Sequence, residues 1–231
     1  MFSVIPSDPG AASAPRDEAT APSVVHGLQL READPAGRRP LEAFIAARFA
    51  EVYGADLHRF MPRLYGLYGA DGELVAAFGL RSADAGPLFL EQYLDRPIEA
   101  EIAQRAAAPV ARAEIAEVGN LAGATPGALR QLIPLLTRLL HRQGHRWVVF
   151  TGAARLCNGF SRLGLPLSVM APAPPERLPP QERSRWGSYY QHSPSVMLGD
   201  VRVGQRRLEA MAHSPRALDA ALAPVARVGA P

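Results

Sequence analysis

A glutamate inside an apolar run is the first residue of this chain that invites a chemical reading. Glu117 stands in the segment AEIAEVGN at Ala113–Asn120, with Ile115 and Val118 beside it. A carboxylate on a buried strand is costly unless it is paired or neutralised, and burial raises its pKa toward the range of a general base. The same residue would be structural if the strand lay at a sheet edge, or if a helix arginine paired with it. Glu91 stands in PLFLEQYLD, with Tyr93 two positions on. On a strand these two side chains would share one cavity; at a helix start they would diverge. His58, in ADLHRFMP, is a further candidate base or ligand, although a lone histidine in a loop is more often a surface residue.

Two other stretches have the composition of binding segments. GNLAGATPGA (119–128) joins a strand to a strong helix. Thr125 reads as an N-cap with Pro126 at the first helical position, while Gly123 and Gly127 permit close backbone approach. Free amides at such a helix start suit a pyrophosphate or a phosphopantetheine phosphate, and an ordinary capped loop has the same look. WGSYYQH (186–192) is dense in aromatic residues and suits either an acyl or aromatic pocket or plain core.

Several chemistries are excluded by what the chain lacks. All 25 basic residues are arginine, so no lysine can form a Schiff base or serve a phosphate-binding P-loop. The single cysteine, Cys157, allows neither an internal disulfide nor a CxxC zinc site, which agrees with a reducing compartment. The net charge is only +3 and the arginines alternate with acids, a poor pattern for nucleic acid. No run reaches the ~18–20 apolar residues of a membrane helix, and the first residues lack a signal-peptide pattern. The expected location is the cytoplasm.

The positioning elements follow from hydrophobic period and turn residues. Residues 1–23 read as a mobile tail, 24–203 as a single domain, and 204–231 as a helical or mobile tail broken by Pro215 and Pro224. Within the domain, strands are expected at Val24–Leu30, Arg63–Tyr68, Glu73–Leu80, Ala113–Asn120, Trp147–Thr151, Leu167–Met170 and Ser195–Val201. Helices are expected at Pro40–Tyr53, around Ile98–Ala107, at Ala128–Arg142 and at Ala153–Leu163. Leu88–Leu94 reads as a strand or a turn. Ala70-Asp71-Gly72 marks a hairpin, and the β-α-β-α-β order after it predicts an α/β fold with a mixed central sheet and helices on both faces.

With this order of elements, the chain resembles a Gcn5-related N-acyltransferase core, and over most of its length the thermostable-hemolysin family of bacterial proteins. The stretches that carry the likeness are FAEVYGADLHRFMPRLYGL (49–67), GELVAAFGLR (72–81), PLFLEQYLD (87–95), EIAEVGNLA (114–122), RWVVFTG (146–152), FSRLGLPL (160–167) and WGSYYQHSPSVMLGD (186–200). A second likeness is to the acyl-homoserine lactone synthases. Arg48, Val52 and Tyr53 stand near their Arg-x-x-Val-aromatic pattern, with three residues between Arg and Val rather than two. Glu117-Val118-Gly119-Asn120-Leu121 stands at their Glu-x-Ser-Arg-Phe, with Gly and Asn replacing Ser and Arg. That replacement argues against S-adenosylmethionine as the amine and leaves a thioester donor.

The resemblance implies transfer of an acyl group from acyl-carrier protein or coenzyme A to a small amine, with no tightly bound cofactor and no metal. It further implies a base at Glu117, with Glu91 and His58 as substitutes. A donor slot would involve Val118, Asn120, Gly123, Thr125, Gly127, Arg130, Thr151 and Asn158. A substrate pocket would draw on Tyr93, Phe150, Phe160, Trp186 and Tyr189. Parallel strands Ala113–Asn120 and Trp147–Thr151 should splay to admit the pantetheine arm. Many relatives place a tyrosine where Phe160 stands, and Phe160 cannot donate a proton. The phosphate-loop signature does not align either, which favours the carrier-protein donor. A non-catalytic binding or regulatory protein on the same fold, or a membrane-lytic protein, would be the alternatives.

Overall fold

The computed structural model describes residues 23–212 apart from His26 and Pro126. Of the tail expected at 1–23, residues 1–22 lie outside the described residues, as do the helical position of Pro126 and the stretch from 213 onward, with Pro215 and Pro224; Ser23 instead opens a strand.

An eight-stranded sheet runs in the order β1-β2-β3-β4-β5-β6-β8-β7. Its strands are β1 (Ser23–Val25), β2 (Leu28–Glu32), β3 (Arg63–Tyr68), β4 (Leu74–Ser82), β5 (Ile115–Gly123), β6 (Trp147–Gly152), β7 (Leu167–Pro172) and β8 (Ser195–Asp200). The single segment expected at Val24–Leu30 is thus a hairpin, turned at Gly27 with φ +78°. Every neighbouring pair is antiparallel except β5 and β6. A parallel pair needs a crossover. Here it is helix α3 (Ala128–Arg142), whose apolar stripe of Leu132, Ile133, Leu136, Leu139 and Leu140 is buried on the sheet.

Helices cover both faces. On one, α3 is joined by α4 (Ala154–Arg162) and by α6 (Val201–Ala212), which runs through residue 204 and buries Leu208. The other face carries α1 (Pro35–Tyr53), α2 (Ile98–Ala106) and a 3₁₀ turn at Phe89–Tyr93. A short helix α5 (Pro180–Arg183) precedes the aromatic segment that closes this side. Helix α1 starts earlier than Pro40 because Asp34 caps it, accepting the Gly37 N–H at 2.6 Å, and Pro35 occupies the first turn. No helix among the described residues is long and apolar enough to cross a membrane.

One irregularity shapes the centre. Between the pairs Ala77↔Ala122 and Gly79↔Gly119, β5 carries one residue more than β4, and within that stretch Asn120 has φ +52°. The bulge bends β5 at the point where it leaves β6.

Candidate active site

The β5/β6 ladder holds three rungs, Ile115↔Trp147, Ala116↔Val148 and Glu117↔Val149. Beyond them β5 continues to Gly123 and β6 to Gly152 without pairing to one another. β5 stays bonded to β4 and β6 to β8, so each strand turns an unpaired edge toward the other. This is the splay expected from the sequence. Backbone donors and acceptors along such edges need partners, and these edges have the geometry to which an added strand can bond.

Glu117 occupies the last rung. Its side chain leaves the sheet toward the 3₁₀ turn and is 2% exposed. One carboxylate oxygen accepts the Phe89 N–H at 2.9 Å and the other the Leu90 N–H at 2.9 Å. These are the first amides of the turn, an electropositive end suited to a carboxylate. Burial pushes the pKa up to about 7, against the opposing pull of the two N–H donors and of the Arg81 charge on β4. Near neutral pH the group is divided between its two states, as a general base should be.

Glu91 behaves in the opposite way. It accepts the Leu88 N–H at 2.7 Å and the Ile98 N–H at 3.0 Å, and pairs with both terminal nitrogens of Arg112 at 2.8 and 3.1 Å. Burial would raise its pKa, but the Arg112 pair and the two backbone donors outweigh it and hold the carboxyl at about 2. Because the segment is a 3₁₀ turn rather than a strand, Glu91 and Tyr93 diverge. Tyr93 turns instead to a hydrogen bond between its hydroxyl and that of Tyr190.

An aromatic group closes this side of the sheet. Trp186 lies 5.1 Å from Tyr189, 5.9 Å from Tyr190 and 5.9 Å from Phe89 between ring centres, and Tyr189 lies 5.2 Å from Tyr53. The Tyr189 hydroxyl donates to the Thr151 carbonyl at 3.2 Å, on the part of β6 that has parted from β5. The Thr151 hydroxyl is buried with no partner in the protein. The segment is fastened to the end of α1 by Ser188 N–H to Tyr53 O (2.8 Å) and Asp56 N–H to Arg185 O (2.7 Å). Gly187 (φ +52°) makes that approach possible, since a Cβ there would stand 2.0 Å from the Tyr53 carbonyl oxygen.

Other sequence candidates fall elsewhere. Val118, Phe150 and Phe160 belong to the opposite face, in the core under α3, with the two phenylalanine rings stacked at 5.1 Å. Side-chain alternation along β5 separates Val118 from Glu117. Asn120 accepts the Met61 N–H at 2.8 Å and so ties the 55–62 segment to the bulge. Gly123 gives α3 room, its Cβ position lying 3.1 Å from that of Ala128. Gly127, not Thr125, caps α3, without a side-chain bond; the Thr125 carbonyl accepts the Ala128 N–H. Arg130 is half-buried on that first turn, and Asn158 is exposed on α4. His58 is exposed and paired with Asp56 at 2.7 Å. Sequence reading passed over Arg112, which no local pattern marks, and Tyr190, which the aromatic density of WGSYYQH could have drawn in.

A family model described as thermostable hemolysin matches residues 31–205, a span that contains every strand from β3 to β8 and the whole of the splay. The chain belongs to the thermostable hemolysin family. No curated protein matches this thermostable hemolysin relative by sequence. Among solved structures it is similar to the acyl-homoserine lactone synthase LasI, at 14% identity and TM-score 0.50, covering 75% of this chain and 89% of that one. It is also similar to FeeM, an N-acyl amino acid synthase from uncultured soil microbes, at 15% identity and TM-score 0.52, covering 81% and 96%. A third is BjaI, a CoA-dependent acyl-homoserine lactone synthase solved with SAM and isopentyl-CoA, at 12% identity and TM-score 0.50, covering 81% and 89%. At such identities the likeness is one of fold, and the fold is that of the acyl-CoA N-acyltransferases.

Proposed function

We propose that this protein is an N-acyltransferase that moves an acyl group from a pantetheine thioester to a small amine, with Glu117 as the base. The observation that carries the reading is the coincidence of two features: the β5/β6 ladder ends at Glu117, and that carboxyl titrates near neutrality. The amide groups of a pantetheine arm would bond the unpaired strand edges, bringing the thioester carbonyl to the last rung. Each oxygen of Glu117 accepts one N–H and keeps a lone pair, so the carboxylate can take a proton from the attacking amine. The amine nitrogen bonds the thioester carbonyl carbon, and the tetrahedral intermediate collapses with loss of the C–S bond. The pantetheine sulfur leaves as a thiolate that takes up the proton held by Glu117, so that an amide and a free thiol remain. The solved relatives in which an acyl group meets an amine, LasI, FeeM and BjaI, support this class of reaction over the alternatives.

Acyl-carrier protein is the proposed donor form over free coenzyme A. Two early amides of α3 are already used within the protein, Ala128 N–H by Thr125 O and Arg130 N–H by Gly127 O, which leaves a poor seat for a nucleotide pyrophosphate. Arg130 at the same helix start would meet the acidic surface of a carrier. Such donors belong to the cytoplasm.

Replacing Glu117 by Gln tests the reading. Turnover per folded molecule should fall by ~10²–10⁴-fold, and the rise of rate with pH through about 7 should vanish. Gln offers one acceptor where Glu117 offers two, so Phe89 or Leu90 loses its partner; stability must be measured on the same samples. Full turnover in a folded Gln variant, with acyl-carrier and acyl-CoA donors compared at matched concentration, would remove Glu117 from the chemistry.

A further inference from the structure

Three consecutive amides, those of Leu88, Phe89 and Leu90, all donate to carboxylates, the first to Glu91 and the next two to Glu117. Glu91 also accepts the Ile98 N–H, so one side chain secures both ends of the segment between Leu88 and α2. Arg112 completes the arrangement. Besides its two-nitrogen grip on Glu91, it donates to the Ala83 carbonyl at 2.7 Å, the Gly86 carbonyl at 3.0 Å and Glu99 at 2.6 Å. It opens a 3₁₀ turn three residues before β5, the strand that carries Glu117. A planar fork with charged partners fixes geometry in a way that a single point charge does not.

We infer that Glu91, gripped by Arg112, is a positioning residue for Glu117: it holds the turn whose first two amides orient the Glu117 carboxylate. The inference rests on the proposed role of Glu117 but on no particular acyl donor. Glu91 has no part in the proton transfer, because its own carboxyl is saturated with donors.

Charge and geometry make opposite demands, which gives the inference a sharp test. The groups that act on Glu117 are Arg81 from β4, Glu91 from the turn and the neighbouring Tyr93. The negative charge of Glu91 raises the proton affinity of Glu117. Replacing Glu91 by Gln removes that charge and leaves the charge of Arg112 balanced by Glu99 and no longer by Glu91, and both changes lower the affinity of Glu117 for its proton. If Glu91 positions the turn, the same substitution loosens the Phe89 and Leu90 amides, leaves burial less opposed, and raises the affinity.

The experiment follows the carboxyl band of Glu117 by infrared difference spectroscopy across pH in the full chain, the band being identified by its loss in Glu117→Gln. Positioning requires the midpoint in Glu91→Gln to move upward, by a factor of ~3 or more in proton affinity. Arg112→Lys, which keeps the charge but loses the fork, should move it the same way by less, and it carries the test if Glu91→Gln does not fold. An unchanged or lowered midpoint overturns the inference. Because the reading needs no substrate, an upward shift in a protein that transfers no acyl group would leave the clamp standing while the proposed function fell.

Discussion

The two faces of the sheet solve different problems. Under α3, α4 and α6 the buried residues are almost wholly apolar, from Phe78 and Leu80 through Phe150 to Leu136 and Leu140. Under α1, α2 and the 3₁₀ turn the same strands carry a buried glutamate and an unpartnered threonine hydroxyl, and the segments packed on them add a tyrosine hydroxyl pair. Alternation along the strands keeps these worlds apart, so that Glu117 and Val118 are neighbours in sequence and strangers in environment. One face holds the fold together, and the other can then tolerate groups that oppose folding.

The largest test of that division is Phe150→Ala. Phe150 is 1% exposed and stacked on Phe160 beneath α4. Truncation should cost about 3–5 kcal/mol of stability. Denaturant unfolding measures the loss, and acyl transfer per folded molecule should stay near the wild-type value. A drop in turnover with little loss of stability would show that the apolar face takes part in the reaction.

A second test uses pH, and the two carboxylates predict opposite signs. The pKa of Glu117 is raised from 4.5 to about 7, so its favourable contribution is complete below 4.5 and is lost as pH rises through about 7. The loss is on the order of 3 kcal/mol. The pKa of Glu91 is lowered to about 2, so its contribution is present above 4.5 and is lost as pH falls through about 2. Stability measured between about pH 5 and about pH 8 should therefore fall with pH in the wild type and be flatter in Glu117→Gln. A slope that survives the substitution would assign it to another group.

The smallest effect is expected at His58→Ala. With its side chain 55% exposed and paired to the still more exposed Asp56, His58 should change stability by less than about 0.5 kcal/mol. It should leave the pH–rate profile in place. A displaced profile would bring this histidine into the site.

These contrasts also mark what the amino-acid pattern could and could not reveal. The α3 helix was legible to the residue, since its apolar stripe and flanking glycines leave little choice of period. Glu117 was legible because a carboxylate among Ile115, Ala116 and Val118 breaks a pattern that local rules otherwise explain. Phe89–Tyr93 resisted, because five residues of mixed character fit a strand or a turn and only the Glu91 contacts to Leu88 and Ile98 decide between them. Thr125 had the right residue type for a cap, yet the chain turns through Gly127 instead. Arg112 was invisible for another reason: its partners lie between 13 and 29 residues away in the chain, beyond any local period.

The three-rung junction of β5 and β6 also has a meaning for how the chain assembles. Strands β1 to β5 lie side by side in the order in which they are made, β1–β2 and β3–β4 as hairpins and the others across α1 and α2, so each strand pairs with its neighbour in the chain. The other part, β6 to β8, joins them across the α3 crossover through three rungs and the helices packed over both. Such a seam is costly to close and cheap to open, and its amides should be the first of the central sheet to exchange with solvent. A pantetheine arm laid along the two free edges would supply the missing rungs. The substrate would then act as a temporary strand, and two loosely joined halves would unfold as one.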